Sequence, residues 1–509
     1  MTPASPILPP AGVVPVAPEM GSAVDHGAEL KRGMFFNTIA LLASNFRGVF
    51  TFLIARLLGA AALGTFLVAW ATTDVLSKIA MFGLDNTIIA FIARSEAAGD
   101  RARSRALFHL AVVLALGQST VVAVFAILVV RLAGNKLNLN PQMVSVLSVL
   151  LCALPGVILY RVCTAISRGM KVMKHDIFSR GLTESTVTTL AFLGTMAFGW
   201  KTFGPAIASI IGTGASGVVA LILASSLFRS APSARGVISY RVEARRLLSY
   251  AASISGYDLL NSLIVRLDVI MLGCFIGHAP GVTLPAVGIY GAVVEVGSGL
   301  RKVNQAFNPI FAPLVAGMTA RGEQEHAAAA FSRVAQWMLW ILLPILAVMA
   351  LAGSLILSIY GPAFREGAIW LDIVALACGT NCFVGLAETV IMVQRPRLNL
   401  LNSAITVVIA VVANVWLIRS FGVIGAAFGI LLPYVLLGIL RHRTLRLVFG
   451  WRRPWSNIAP PVIAAFIAAL PAIVCRLLLH GAAGQIASAV VFLAVFGLGW
   501  RFHFRRRRS

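Results

Sequence analysis

The chain has 509 residues, of which 59% are hydrophobic and only 12% charged, whereas water-soluble domains carry roughly one quarter charged residues, so an ordinary soluble enzyme is excluded. Several apolar runs exceed the ~18 residues that cross a bilayer core, and they are continuous rather than alternating, so they read as transmembrane helices and not as barrel strands. The formal net charge of +24 would suit a nucleic-acid binder only if the basic residues clustered on one solvated face, and here they are scattered between hydrophobic runs.

Residues 1–32 are rich in proline and small residues and lack a basic segment followed by an apolar core, so they read as a disordered cytoplasmic tail rather than a signal peptide. Apolar windows and their breaks then predict fourteen helices at about 33–58, 62–84, 106–131, 142–164, 177–199, 203–229, 247–277, 285–313, 334–358, 367–393, 398–418, 422–445, 459–479 and 483–501. An even count puts both ends of the chain on one side. The even-numbered connections and the two tails hold thirty basic residues, including Lys31, Arg94, Arg161, Arg180, Arg241, Arg395, Arg441 and Arg505 to Arg508, against seven in the odd-numbered connections. This bias makes both termini cytoplasmic and the basic C-terminal end a topology anchor on anionic lipid.

All six cysteines (Cys152, Cys163, Cys274, Cys378, Cys382, Cys475) fall in or beside apolar segments with no CxxC pair and no histidine at ligand spacing, so no metal and no cofactor is expected.

The second half of the chain echoes the first. Leu63-Gly64-Thr65-Phe66, opening the second helix, is matched by Val287-Gly288-Ile289-Tyr290, opening the eighth; Lys201-Thr202-Phe203-Gly204 before the sixth is matched by Arg419-Ser420-Phe421-Gly422 before the twelfth. Six spans per half give parallel repeats related by an axis along the membrane normal. The expected architecture is an all-α polytopic membrane protein with two pseudo-symmetric six-helix lobes plus two C-terminal helices. Its parts are an N-lobe over 33–229, a cytoplasmic linker over 230–246, a C-lobe over 247–445, and a final helix pair with a basic tail over 446–509.

Ionisable groups inside spans are costly and point to function or to a buried partner. Arg47 lies mid-way along the first predicted helix on a stripe with Asn37, Ser44 and Thr51. It fits a cavity cation, since a guanidinium holds phosphate oxygens by paired hydrogen bonds, and it equally fits an ion pair with an acid on another helix. Asp74, Lys78 and Asp85 share a face of the second helix, where Asp74 and Lys78 can neutralise each other or serve proton coupling. In the seventh helix Asp258, Ser262 and Arg266 form a stripe; Asp258 and Arg266 stand two turns apart, so each must meet another helix or the cavity. Glu295 and Lys302 share a face of the eighth helix and Arg301 does not; snorkelling of Lys302 and Arg301 toward the cytoplasmic side is the plain alternative to a cavity role. Glu184, Asp372 and Glu388 are lone acids, each a candidate ion site or an arginine partner. Arg47, Arg266 and Lys302 are thus the candidate substrate-binding cations, and Asp74, Lys78, Asp258, Glu295 and Glu388 the candidate ion-coupling groups.

Ile54-Ala55-Arg56-Leu57-Leu58-Gly59, Leu63-Gly64-Thr65-Phe66, Phe82-Gly83-Leu84-Asp85 and Ile92-Ala93-Arg94 resemble the opening of Wzx-like bacterial polysaccharide flippases of the multidrug/oligosaccharidyl-lipid/polysaccharide exporter superfamily. Leu267-Asp268-Val269-Ile270-Met271-Leu272-Gly273 and Tyr360-Gly361-Pro362-Ala363-Phe364 are similar to its later signatures, and the likeness runs over about 33–450. The resemblance implies a bacterial inner-membrane protein with two lobes around a central cavity. Such a protein moves an undecaprenyl-pyrophosphate-linked oligosaccharide to the periplasmic leaflet, with membrane lipids and polysaccharide polymerase or export proteins as partners. A drug antiporter of the same fold would call for an acid-lined cavity, and a lipid-II flippase would share the cationic one. A membrane enzyme acting on lipid-linked sugars would need a sizeable extramembrane segment with paired carboxylates, and the largest predicted connection holds one acid, Glu243.

Overall fold

The computed structural model describes residues 46–134, 136, 140–232, 239–451 and 455–506. The expected tail over 1–32, the start of the first helix with Asn37 and Ser44, and the side chain of Arg47 lie outside the described residues. Every regular element among the described residues is helical, as a backbone in lipid demands. The main helices are α1 (Phe46–Met81), α2 (Leu84–Ala97), α3 (Arg101–Ala133), α4 (Pro141–Leu150), α5 (Leu154–Gly169), α6 (Ser185–Ala197), α7 (Gly204–Ser226) and α8 (Tyr240–Cys274). They continue as α9 (Leu284–Ser298), α10 (Arg301–Ala320), α11 (Gln324–Ser358), α12 (Ala368–Gln394), α13 (Pro396–Val448), α14 (Trp455–Leu478) and α15 (Gly481–Arg506). Among the described residues, nine helical stretches are long and apolar enough to cross a membrane.

Several expected boundaries move, each for a local reason. The breaks expected between the first and second and between the eleventh and twelfth helices fall inside α1 and α13, at Gly59 (φ +81°) and Gly422 (φ +60°), where the backbone leaves helical φ/ψ and two helices meet at a kink that glycine adopts without strain. A connection was expected after residue 84, but the chain turns at Phe82 and Gly83 and forms α2, a short helix whose charges had masked it. Helix α8 begins at Tyr240 and so occupies part of the expected linker. The single helix expected over 285–313 is divided at Gly299–Leu300, where amides reach back only three residues and tighten the turn. Residues Ile177–Glu184 adopt a wide π-helical turn before α6.

Helices α2 to α7 pack about α5 and α7, and α9 to α13 pack about α12. Between these groups α1 lies along α8 and α9, and the α14–α15 pair rests on α11. Small residues let α1 and α9 approach backbone to backbone. A Cβ on Gly64 would lie 2.8 Å from the Gly288 amide nitrogen, and one on Gly288 would lie 2.9 Å from that of Gly64. A Cβ on Gly291 would meet the Leu67 side chain, and one on Gly273 the Val68 side chain, so the seam is closed over this stretch.

Candidate functional site

Where α1 runs on past this seam, the two groups separate around a cavity of about 990 Å³. Its walls come from α1, α8, α9, α10 and α12, with Arg180 reaching in from the π-helical turn. Helical spacing explains the supply of side chains. Trp70, Asp74 and Lys78 stand one turn apart on α1, Asp258, Ser262 and Arg266 on α8, and Asn304 and Asn308 on α10, and all eight line the cavity.

 Counting Arg180, these nine side chains face one common space.

Two carboxylates in this wall are committed to arginines. Asp74 Oδ1 accepts from Arg161 of α5 and Asp74 Oδ2 from Arg266 of α8, both at 3.1 Å. The expected neutralisation of Asp74 by Lys78 is therefore corrected. Two guanidiniums converge on Asp74, each taking one oxygen. Arg266 keeps its place in the cavity wall, but as the partner of Asp74 rather than as a lone cation. Glu388 pairs with Arg441 of α13 at 3.0 Å and accepts a hydrogen bond from Tyr257. Arg441 is 1% exposed, so this pair is a buried tie between α12 and α13.

Asp258 accepts from the Asn86 amide of α2 at 3.2 Å, so it meets another helix, as its two-turn separation from Arg266 requires. Asp85 does not share a helix with Asp74 and Lys78, because the turn at Phe82–Gly83 places it in the first turn of α2. Glu295 ends up on α9 and Lys302 on α10, not on one continuous helix, yet both line the cavity. Arg301 also lines it, so both Arg301 and Lys302 face the cavity. Glu184 is buried and shares with Arg180 a side recess walled by Phe50 and Trp70. Asp372 is exposed on α12 and lies outside the cavity.

Counting Arg161 and Arg441 behind the wall, seven cations surround four carboxylates: Lys78, Arg180, Arg266, Arg301 and Lys302 face Asp74, Asp258, Glu295 and Glu388. Beside Arg301, Lys302 and Glu388, α10 and α12 also present Asn304, Gln305, Asn308, Asn381 and Thr389 to the cavity. Thr389 donates to Asn308 Oδ1 at 3.1 Å, and a Cβ on Gly385 would collide with the Asn304 amide, so that glycine makes room for it. Carboxamides both donate and accept, which suits ligands bearing hydroxyl groups. Phe50, Phe66 and Trp70 close the remaining side, with Phe66 and Trp70 stacked at 6.2 Å.

Sequence reasoning missed Arg161, Arg180 and Arg441 as interior groups because it counted them with the cytoplasmic connections. Each in fact falls inside a predicted span, and that position was the available signal. The carboxamide wall carried no charge to draw attention.

A family model described as "Polysaccharide biosynthesis protein" matches residues 30–313. No curated protein matches the chain by sequence. Among solved structures, the lipid II flippase MurJ in an inward closed conformation aligns with TM-score 0.71 at 11% identity, covering 93% of this chain and 100% of that one. An inward-facing multidrug resistance MATE family transporter of the MOP superfamily aligns with TM-score 0.67 at 13% identity, covering 80% and 94%. A Vibrio cholerae MATE transporter aligns with TM-score 0.58 at 16% identity, covering 82% and 98%. These likenesses establish a shared helical membrane fold.

Proposed function

The chain belongs to the polysaccharide biosynthesis protein family, and from that premise we propose that its cavity carries an undecaprenyl-pyrophosphate-linked oligosaccharide from the cytoplasmic to the periplasmic leaflet. The observation that carries this reading is the pairing of a cation surplus with a carboxamide wall in one intramembrane cavity. A pyrophosphate needs cations, and Arg266, Lys302, Arg301 and Arg180 supply them. A saccharide needs neutral donors and acceptors, and α10 and α12 supply those. The polyprenyl tail stays in lipid between the two lobes.

Our reading takes both termini as cytoplasmic, in a bacterial inner membrane, from the basic bias of the connections. In that orientation the closed Gly64–Gly288 seam lies toward the periplasm and the cavity on its cytoplasmic side, which suits the loading state of an alternating-access cycle. An organic-cation antiporter fits less well, since two of the four cavity carboxylates are already held by arginines. Asp258 and Glu295 remain the better candidates for ion coupling.

The test is export of surface polymer in cells carrying Arg266→Ala, Lys302→Ala or Arg47→Ala. Polymer should disappear, and the lipid-linked intermediate should accumulate on the cytoplasmic side, while the protein stays in the membrane. Full export by all three variants would overturn the reading. Loss of peptidoglycan synthesis in place of the surface polymer would assign the cavity to lipid II, which carries the same pyrophosphate.

A further inference from the structure

The α14–α15 pair and the basic end of α15 play no part in the central cavity. Between this pair and α11 lies a second cavity, of about 900 Å³, that opens on the outer surface of the bundle. Its floor is apolar, formed by Ile463 and Ile467 of α14 and Val495 and Leu498 of α15. Its polar end carries Arg501, His503 and Arg505 and no carboxylate. His503 is placed by its neighbours: its ring lies 5.8 Å from that of Trp340, and its Nε2 is 3.3 Å from the Gln336 amide nitrogen.

Arg501 and Arg505 stand one turn apart on α15, an arrangement of like charges that destabilises a helix unless an anion sits beside it. The face that bears them continues as Leu498 and Val495 away from the basic end. An anion-seeking end thus joins an apolar trough with the polarity of a membrane lipid, headgroup at the interface and chains toward the bilayer core. Simple snorkelling explains exposed arginines, but it does not require the concave apolar floor beneath them.

We propose that this groove binds one anionic phospholipid, its phosphate between Arg501 and Arg505 and an acyl chain along α14 and α15. The site is independent of what the central cavity carries. Basic pockets between transmembrane helices hold such headgroups, with about 1 kcal/mol for each basic residue near the surface, so losing two arginines corresponds to roughly a 10-fold to 30-fold loss of affinity.

Native mass spectrometry of the full chain in detergent tests this with phosphatidylglycerol, phosphatidylcholine and undecaprenyl phosphate as probes. One phosphatidylglycerol should remain bound under activation that strips phosphatidylcholine. The doubly substituted Arg501→Ala/Arg505→Ala chain should bind it at least tenfold more weakly, and Ile467→Trp, which fills the trough, should also displace it. Both arginines are exposed, so the double variant should keep the parent melting temperature. Equal retention of the two phospholipids, or unchanged binding in the double variant, would overturn the proposal. Displacement of phosphatidylglycerol by an equimolar amount of undecaprenyl phosphate would also overturn it, assigning the groove to a polyprenyl tail.

Discussion

Gly64 and Gly288, the glycines at matching positions of the two halves, pack against each other across the seam, each placed so that a Cβ would lie 2.8–2.9 Å from the other's amide nitrogen. The repeat seen in the sequence is therefore also a contact. A side chain at either site must push α1 and α9 apart, and overpacking of this kind costs typically 1–3 kcal/mol. Gly288→Val should therefore disfavour the sealed state. In a background without native cysteines, Leu67→Cys should become reactive to a membrane-impermeant maleimide added from the side of the seam, and transport should fall. Unchanged reactivity would show that the seam does not gate that side.

Asp74 joins α5 and α8 through two arginines, Arg161 and Arg266. Asp74→Asn removes the carboxylate that both guanidiniums share. Because the three side chains are 18–27% exposed, the loss should be smaller than the 3–5 kcal/mol of a fully buried broken pair, at about 1–3 kcal/mol. Thermal unfolding in detergent should show it. A double-mutant cycle with Arg266→Gln should return a coupling energy well above zero, and additive effects would refute the link.

Glu388 should behave as a structural partner and not as an ion-coupling group. Glu388→Ala strands the buried Arg441 and should cost about 3–5 kcal/mol, whereas Glu388→Ala combined with Arg441→Met removes both charges and should recover most of it. If the double variant is stable but its transport loses dependence on the ion gradient, the coupling role stands instead.

The carboxamide wall should set selectivity more than turnover. Asn308→Leu and Asn381→Leu should weaken handling of the native oligosaccharide by tenfold or more, while leaving binding of undecaprenyl pyrophosphate within about twofold, since each lost hydrogen bond is worth ~0.5–1.5 kcal/mol and stranded partners add to it. Equal losses for both ligands would show that the wall does not read sugar.

Much of the fold is legible in the sequence because lipid forces helices and apolar length marks them, so most predicted spans coincide with observed helices to within a turn or two. The breaks at Gly59 and Gly422 were legible as interruptions of the apolar runs, whereas α2 hides because its charges resemble a loop. Of the residues singled out in the sequence, Asp74, Lys78, Asp258, Arg266, Glu295, Lys302 and Glu388 line one cavity, while the Arg47 side chain lies outside the described residues. The pairings were not legible, because Arg161, Arg266 and Asp74 come from three distant stretches of chain, and residue spacing carries no information about which helices meet.

The central claim is most directly tested by reconstituting the purified protein in proteoliposomes with a fluorescent undecaprenyl-pyrophosphate oligosaccharide and measuring how fast it reaches the opposite leaflet, where an added glycosidase cleaves it. Protein-dependent movement is expected, falling at least tenfold with Arg266→Ala and Lys302→Ala combined and inhibited by excess unlabelled lipid-linked sugar. Movement no faster than in protein-free vesicles, or movement indifferent to both arginine and lysine, would contradict it.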